Sequence, residues 1–287
     1  MIALADKTHL KYVNNCDSMN SKTTILTHIN PELRLSSDAP SLRIISLVPS
    51  QTELLHYLGL ESEVVGITKF CVHPKEWHQS KNRVGGTKQY KMEVIDNLQP
   101  TLILGNKEEN DKEQILTLAQ KYPVWISDIK TLEDAYQMIL EVGILIQKTE
   151  KAEKLVLQLK KSFLQLSSFD SSIKAAYFIW KAPFMVAGKG TFIHEMMKVA
   201  GFENVFKDQE RYPQVALSDL SERQPKVIFL SSEPYPFKEK HLEEFKSACP
   251  EAQIVLVDGE LFSWYGNRLL DSVEYFKKLQ LSLFSKK

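Results

Sequence analysis

The hydrophobic pattern divides the chain into two halves of alternating strands and helices, with one long amphipathic helix between them. Residues 149–166 contain no glycine or proline, and apolar residues such as Ala152, Leu155 and Leu159 recur with the 3.6-residue period of a helix. A helix of this length spans roughly 27 Å. The pattern predicts a stiff helix that joins two lobes, although a helix packed on a single sheet would show the same local pattern.

A short repeat links the two halves. In residues 98–104 and again in residues 223–230, a helical pattern ends at Gln-Pro, and a buried strand then runs into a polar loop that carries glutamate. Proline disfavours helical geometry in the residue before it, so both helices are expected to end there. The repeat favours an organisation in two α/β halves.

Strands and helices alternate throughout both predicted halves. Strands are expected at residues 42–48, 64–67, 102–104, 124–126, 175–180, 184–187, 227–230 and 254–257, with an edge strand within 23–29. Helices are expected at residues 52–58, 92–98, 111–121, 132–146, 149–166, 192–200, 217–223, 241–248 and 268–284. This alternation predicts an α/β fold with two Rossmann-like lobes and mostly parallel sheets, joined by a single long interlobe helix. The predicted divisions are a polar N-terminal segment (1–41), an N-terminal lobe (42–148), the interlobe helix (149–168) and a C-terminal lobe (169–287).

Composition and charge exclude several classes of protein. The 287 residues are 43% hydrophobic, which argues against disorder, and 36 basic residues balance 36 acidic ones, so no basic field points to nucleic acid. No apolar run approaches the roughly 20 residues that cross a bilayer. Three widely spaced cysteines make a disulfide framework unexpected. The first forty residues contain no secretory hydrophobic segment, so the chain as written is expected to stay inside the cell.

Few residues form a pattern that catalysis would require. Residues 188–191 (GKGT) lack the spacing of a phosphate-binding loop, and a glycine turn before a helix is the preferred interpretation. Cys71, His73 and His78 could indicate a metal, but they are too sparse for a structural zinc site. Packing within the loop, or a histidine that contacts a ligand, is the preferred reading of these three residues.

Aromatic residues are concentrated where predicted strands end. Residues 68–90 form a long irregular stretch, and a loop of this length within a compact domain is more often functional than not. The aromatic residues near strand ends in both halves are Phe70, Trp77, Trp180, Phe184, Tyr212, Tyr235, Phe237, Phe262, Trp264 and Tyr265. For any one of them, packing in the core is the preferred reading, but as a set they suit a cleft for a large, flat, partly apolar ligand.

Several segments together resemble a known family. Residues 43–53 (RIISLVPSQTE), 84–87 (VGGT), 98–104 (LQPTLIL), 201–206 (GFENVF), 212–215 (YPQV) and 224–228 (QPKVI) resemble the cobalamin/iron-siderophore class of substrate-binding proteins of ABC importers. The resemblance runs from about Leu42 to the C-terminus. It implies two lobes bridged by one helix, a ligand in the cleft between them, and no catalysis.

The resemblance also implies partners and a location. The ligand would be cobalamin or another metal chelate such as a ferric siderophore, with no permanent cofactor and no resident metal. An ABC permease would be the partner of a monomeric receptor, docking on Glu108 or Glu109. The family resemblance implies the periplasm, whereas the sequence as written implies the cytoplasm.

The predicted ligand-binding residues lie in loops after predicted strands, because the carboxyl ends of parallel strands face the ligand crevice in such folds. They are Ser50, Gln51, Phe70, His73, Thr87, Lys88, Trp180, Phe184, Tyr212, Glu233, Tyr235, Phe262, Trp264 and Tyr265. His73 is the residue best suited to touch a metal centre, although a histidine held by backbone hydrogen bonds within the loop is the preferred reading. The rival hypothesis is an intracellular corrinoid-handling protein or enzyme on the same scaffold, which would use His73 or Cys71 chemically.

Overall fold

The structure, a computed structural model, describes residues 25–26, 41–166 and 173–284. These residues form two compact units. Unit 1 contains the described residues up to Asp128 together with Met138–Glu153, and unit 2 contains Ile129–Gln137 together with the described residues from Lys154 onward. Of the predicted polar segment 1–41, all but residues 25–26 and 41 lie outside the described residues.

Unit 1 is built on a six-stranded sheet in which every strand is parallel to its neighbours. Its strands are β1 (Ile25–Leu26), β2 (Ile44–Ser46), β3 (Val64–Ile67), β4 (Asn82–Arg83), β5 (Leu102–Asn106) and β6 (Val124–Ser127), in the order β1-β6-β5-β2-β3-β4. Its helices are α1 (Pro49–Leu58), α2 (Lys75–Ser80), α3 (Met92–Leu98) and α4 (Lys112–Ala119). The predicted edge strand is confirmed in β1.

Two helices contribute residues to both units. They are α5 (Leu132–Leu145) and α6 (Thr149–Phe163), and a 3-10 turn, Leu164–Leu166, extends α6. The long helix predicted between the halves is confirmed as α6. Its apolar stripe is buried, with Ala152, Leu155 and Leu159 at most 1% exposed.

Unit 2 contains a five-stranded sheet that is parallel except for one pair. Its strands are β7 (Ile173–Trp180), β8 (Met185–Val186), β9 (Phe202–Asn204), β10 (Val227–Ser231) and β11 (Gln253–Val257), ordered β11-β10-β7-β8 with β9 beside β7. Only β8 runs antiparallel, because it returns directly after β7. The helices of unit 2 are α7 (Phe192–Val199), α8 (Asp219–Arg223), α9 (Leu242–Ala248), α10 (Glu260–Ser263) and α11 (Leu269–Phe284).

The Gln-Pro repeat has the same local structure in both units. Gln99 follows α3 and Gln224 follows α8, and both adopt the left-handed conformation, with φ of 43° and 47°. A proline and then a fully buried strand, β5 or β10, come next. The left-handed cap ends each helix, and proline prevents its continuation. The repeat therefore marks an equivalent unit of structure in each half.

Glycine and polar caps set two other helix ends as predicted. Gly59 ends α1 with φ of 87°, a conformation that glycine adopts without a Cβ penalty. Thr191 accepts a hydrogen bond from the His194 N–H at the start of α7, and Gly190 before it has φ of 76°. The interpretation of residues 188–191 as a glycine turn before a helix is confirmed.

The prediction that residues 68–90 are irregular is wrong in part. This stretch contains α2 and β4, and Trp77 of α2 is fully buried. The Trp77 indole N–H donates to the Glu61 carboxylate, and its ring meets His56 edge-on at 5.2 Å. Tertiary contacts thus stabilise a helix too short for its own periodicity to reveal. The sequence pattern also failed to predict the strand β9 and the helix α10, because each is too short to show a periodicity.

Each unit contains a cluster of buried apolar side chains. In unit 1 the cluster lies between the sheet and helices α3 and α4, and in unit 2 it includes Phe178, Phe206 and Phe245. Cys71 and Cys249 are buried free thiols, and Cys16 lies outside the described residues. Within the described ranges, every helix is too short or too polar to cross a bilayer.

Candidate functional site

The loop after β3 exposes an aromatic ring at the carboxyl edge of the unit 1 sheet. Phe70 is 50% exposed, with the Lys69 ammonium 5.0 Å from its ring centre, and Val72 is 43% exposed. His73 is half-buried, and Lys88 is exposed. These side chains give the loop an apolar surface with cationic groups at its margin.

Buried hydroxyl and thiol groups hold this loop in place. The Thr52 hydroxyl donates to Cys71 Sγ at 3.0 Å, and the Thr68 hydroxyl lies 3.2 Å from the same sulfur. Burial raises the pKa of the Cys71 thiol, despite the opposing effect of the Thr52 and Thr68 hydrogen bonds. A protonated, buried thiol is a poor nucleophile, so the geometry gives Cys71 a positioning role.

A second polar network lies where β5 and β6 end. The Gln51 amide group donates to the Gly105 carbonyl at 3.1 Å and to Ser127 Oγ at 2.8 Å. Asn106 Nδ2 donates to the same Ser127 Oγ at 3.0 Å. Gln51 and Ser50 both belong to the first turn of α1 and are buried. The network fixes the start of α1 on the strand ends.

Thr87 and the predicted docking glutamates lie in turns beside this network. The Thr87 carbonyl accepts from Tyr90 Oη at 2.8 Å and from Asn110 Nδ2 at 3.1 Å. The backbone N–H groups of Glu108 and Glu109 donate to Asn106 Oδ1 at 2.8 and 3.2 Å. An asparagine that caps its own turn in this way fixes the backbone of both glutamates.

An aromatic group lies at the carboxyl edge of the unit 2 sheet. Trp180, at the end of β7, is 39% exposed and meets Tyr235 edge-on at 5.8 Å. The Tyr235 hydroxyl lies 3.3 Å from His241 Nε2, and His241 Nδ1 accepts the Lys238 N–H. Burial is the main cause that lowers the pKa of His241, and the nearby charges of Lys181 and Lys240 lower it further. The lowered pKa favours the neutral ring. Two predicted site residues, Trp180 and Tyr235, are thus brought together.

Glu233 is the acidic residue at the end of β10. Its Oε1 accepts from Ser263 Oγ at 2.7 Å and from the Trp264 indole N–H at 3.0 Å. The Arg268 guanidinium lies 4.7 Å from the centre of the Trp264 ring and pairs with Glu260 at 2.8 Å. Burial raises the pKa of the Glu233 carboxyl, and the two donated hydrogen bonds only partly oppose it.

We expect Glu233→Gln to change how stability depends on pH. Because the folded state raises the pKa of Glu233 above its ordinary value of 4.5, the folded protein binds this proton more tightly than the unfolded chain. The free energy of unfolding therefore falls as pH rises from about 4.5 through the raised pKa. Glutamine keeps the accepting oxygen but does not titrate, so the variant should gain stability relative to wild type between pH 4 and pH 7. Urea unfolding across this range measures the difference, and a constant difference would contradict the expectation.

Besides Ser50 and Gln51, three aromatic residues predicted to bind the ligand are buried. Phe262 is fully buried, with its ring 4.8 Å from Phe276 and 5.0 Å from Tyr177. Trp264 and Tyr265 are 7% and 5% exposed. The prediction that Phe262 contacts the ligand directly is therefore corrected, because its ring belongs to the hydrophobic core. Trp264 instead holds Glu233 through its indole N–H.

Phe184 and Tyr212, the other aromatic residues predicted in unit 2, are half-buried. The Phe184 ring meets Phe245 edge-on at 5.3 Å and has the Lys181 ammonium 5.7 Å from its centre. The Arg211 guanidinium lies 5.9 Å from the Tyr212 ring centre. Both rings of unit 2 therefore keep part of their surface exposed to solvent.

Sequence reasoning missed the residues that support the predicted ones. Ser127 and Asn106 end neighbouring strands in register, so their proximity follows from the parallel pairing of β5 with β6. Ser263 and Arg268 act on Glu233 and Trp264. The signal available was a polar residue at each strand end and a serine beside the tryptophan. Among the described residues, no group of three or more His, Cys, Asp or Glu side chains is placed to hold a metal ion.

With this geometry established, the chain can be assigned to a class. The family model for periplasmic binding proteins matches residues 44–253. The chain belongs to this family of substrate-binding proteins. The fold is the α/β, two-lobe arrangement of such proteins.

Particular relatives are proteins named for vitamin B12 binding. The vitamin B12-binding protein of Pectobacterium atrosepticum is 26% identical over 238 residues, which cover 79% of this chain and 84% of the relative. That of Vibrio cholerae is 26% identical over 255 residues, which cover 86% and 91%. An uncharacterized ABC transporter substrate-binding lipoprotein of Bacillus subtilis is 26% identical over 248 residues, which cover 81% and 77%.

Solved structures share the fold at lower identity. The periplasmic vitamin B12 binding protein BtuF of Vibrio cholerae aligns with a TM-score of 0.72 and 23% identity, covering 86% of this chain and 99% of that one. The periplasmic haem-binding protein BhuT, solved with two haems, aligns with a TM-score of 0.72 and 18% identity, covering 85% and 100%. At these identities the likeness concerns the fold alone.

Proposed function

We propose that this protein is the substrate-binding component of an ABC importer for a corrinoid such as cobalamin or for another metal chelate. The observation that carries the proposal is the family match over residues 44–253, combined with exposed aromatic rings at the strand ends of each unit. Phe70 in unit 1 and Trp180 in unit 2 offer the flat apolar surface on which a macrocycle would stack. Relatives named for vitamin B12 binding, matched over 84% and 91% of their length, support the corrinoid over other chelates.

The proposal extends to location and partner. Relatives described as periplasmic or as a lipoprotein support action outside the cytoplasmic membrane, with delivery to an ABC permease. Glu108 or Glu109 remains the proposed docking residue of unit 1. In the Gln-Pro repeat, Glu233 follows β10 at the same distance as Glu108 follows β5. The hydrogen bonds from Ser263 and Trp264 favour an internal role for Glu233 instead of docking.

No observation favours the rival enzyme or corrinoid-handling hypothesis. Its two candidate residues are Cys71, whose raised thiol pKa makes it unreactive, and His73. His73 stays a candidate contact to the ligand's metal centre within the binding function.

The deciding experiment is isothermal titration calorimetry, in which the purified protein is titrated separately with cyanocobalamin, haemin and a ferric hydroxamate. We expect cyanocobalamin to bind, and Trp180→Ala to weaken binding by about 2 kcal/mol or more, the range of aromatic anchors. The control is Tyr57→Ala, which removes an aromatic ring that is 42% exposed in the last turn of α1. This turn lies at the opposite end of the helix from the strand ends, so affinity should be unchanged. Equal affinity of Trp180→Ala and wild type would remove Trp180 from the site, and failure to bind any chelate would overturn the function.

A further inference from the structure

The first turn of α1 holds two buried polar atoms for which no described residue supplies a hydrogen-bond partner. Ser50 is 2% exposed and Gln51 is fully buried. Within the part of the chain that the structure describes, neither Ser50 Oγ nor Gln51 Oε1 has a hydrogen-bond partner. Buried polar atoms in native proteins are hydrogen-bonded in the large majority of cases, so two exceptions in adjacent residues point to a ligand or to ordered water.

The orientation of the Gln51 amide is fixed by its neighbours. Its Nε2 lies 3.1 Å from the Gly105 carbonyl and 2.8 Å from Ser127 Oγ. A carbonyl oxygen only accepts hydrogen bonds, so the NH2 end of the amide must face Gly105. The atom without a partner is therefore Oε1, a hydrogen-bond acceptor, and it requires a donor.

The same turn offers hydrogen-bond donors. The first N–H groups of an α-helix have no acceptor inside the helix. Val48 at the N-cap provides no side-chain cap, and no described residue accepts from the backbone N–H of Ser50 or Gln51. The Ser50 hydroxyl can also donate. Helical side chains lean toward the N-terminus, so these donors lie at the same end of α1 as the Gln51 oxygen.

We infer that this turn binds a primary carboxamide of the ligand, an inference that rests on the proposed function. A carboxamide presents an NH2 donor for Gln51 Oε1 and a carbonyl oxygen for the helix N–H groups and Ser50 Oγ. An ionised carboxylate only accepts, so it would leave Gln51 Oε1 without a donor. Corrinoids carry primary carboxamides around the macrocycle, whereas haem carries propionate carboxylates. Gln51 is therefore a specificity-determining residue that favours a corrinoid over haem.

The test compares cyanocobalamin with its monocarboxylic acid derivatives, in each of which one peripheral carboxamide is hydrolysed. We expect wild type to bind cyanocobalamin about ten-fold or more tightly than at least one of these acids. Gln51→Met should bring this ratio close to one. The matched control is Gln114→Met, because Gln114 Oε1 already accepts the Tyr90 N–H at 3.3 Å, and its ratio should equal that of wild type. Ser50→Ala deletes a hydroxyl that can donate to a carboxamide oxygen and to a carboxylate alike, so it should weaken cyanocobalamin binding about three-fold or more without lowering the ratio.

Each outcome separates the two proposals. Equal affinity of wild type for cyanocobalamin and all of its acids, or a ratio that Gln51→Met leaves unchanged, overturns the carboxamide inference alone. In that case Gln51 Oε1 binds a buried water only. Binding of haemin without binding of cyanocobalamin overturns the corrinoid function and this inference with it. Circular dichroism confirms that each variant is folded. If Gln51→Met is not folded, the affinity of Ser50→Ala for cyanocobalamin decides, and an affinity equal to that of wild type overturns the inference.

Discussion

Replacing Phe262 by alanine is expected to lower the free energy of unfolding by about 3–5 kcal/mol, the range for deletion of a buried phenylalanine ring. The ring is fully buried and packs against Tyr177, Phe229 and Phe276. Removing it leaves a cavity that these rigid neighbours cannot fill. Urea unfolding followed by circular dichroism measures the loss.

Phe70→Ala is the matched comparison for Phe262→Ala. The same side chain is deleted from a ring that is 50% exposed, so stability should change by no more than about 0.5 kcal/mol. Cyanocobalamin binding should nevertheless weaken, since Phe70 belongs to the proposed contact surface. A loss below about 1 kcal/mol in Phe262→Ala would contradict the assignment of this residue to the core.

Gly259→Ala is expected to lower the free energy of unfolding by about 3 kcal/mol, at the upper end of the cost of overpacking. A Cβ at this position would lie 2.4 Å from Ser231 Oγ and 2.6 Å from Glu233 Cγ. It would also lie 3.1 Å from the Glu233 backbone nitrogen, so rotating one side chain cannot relieve the clash. The Glu233 loop must shift, which breaks the hydrogen bonds from Ser263 and Trp264.

Gly86→Ala serves as the control for Gly259→Ala. Its new Cβ would be nearest to Phe70 Cε2, at 3.3 Å, which is the edge of an exposed ring that can move by a few tenths of an ångström. Its stability should stay within about 1 kcal/mol of wild type. Thermal unfolding of both variants measures this difference, and equal stability of the two would show that Glu233 is not fixed by Gly259.

The elements with strong local signals could be predicted from the sequence. The strand Val64–Ile67 and the helix Met92–Leu98 have the predicted bounds. Gly59 ends the helix before this strand, and Gln-Pro at 99–100 ends the helix Met92–Leu98 itself. The α2 helix could not be predicted in this way. Trp77 is its one buried residue, and its support from Glu61 and His56 comes from elsewhere in the chain.

The candidate site was predicted less well than the fold, for a physical reason. Phe70 and Phe262 both follow predicted strands, but one ring faces out and the other faces the core. Strand ends show which edge of a sheet a residue occupies, while the direction of its side chain depends on packing partners distant in sequence. The polar partners of Gln51 and Glu233 likewise come from other loops.

Strand β1 affects how the protein can be shortened. Among the described residues, Ile25 and Leu26 pair with Val124 and Trp125 of β6, and they cover one edge of the unit 1 sheet. A truncated chain that starts at residue 41 would lose this cover and leave the backbone N–H and C=O groups along β6 open. Open strand edges pair with strands of other molecules, so the truncated protein is expected to self-associate through the edge of β6.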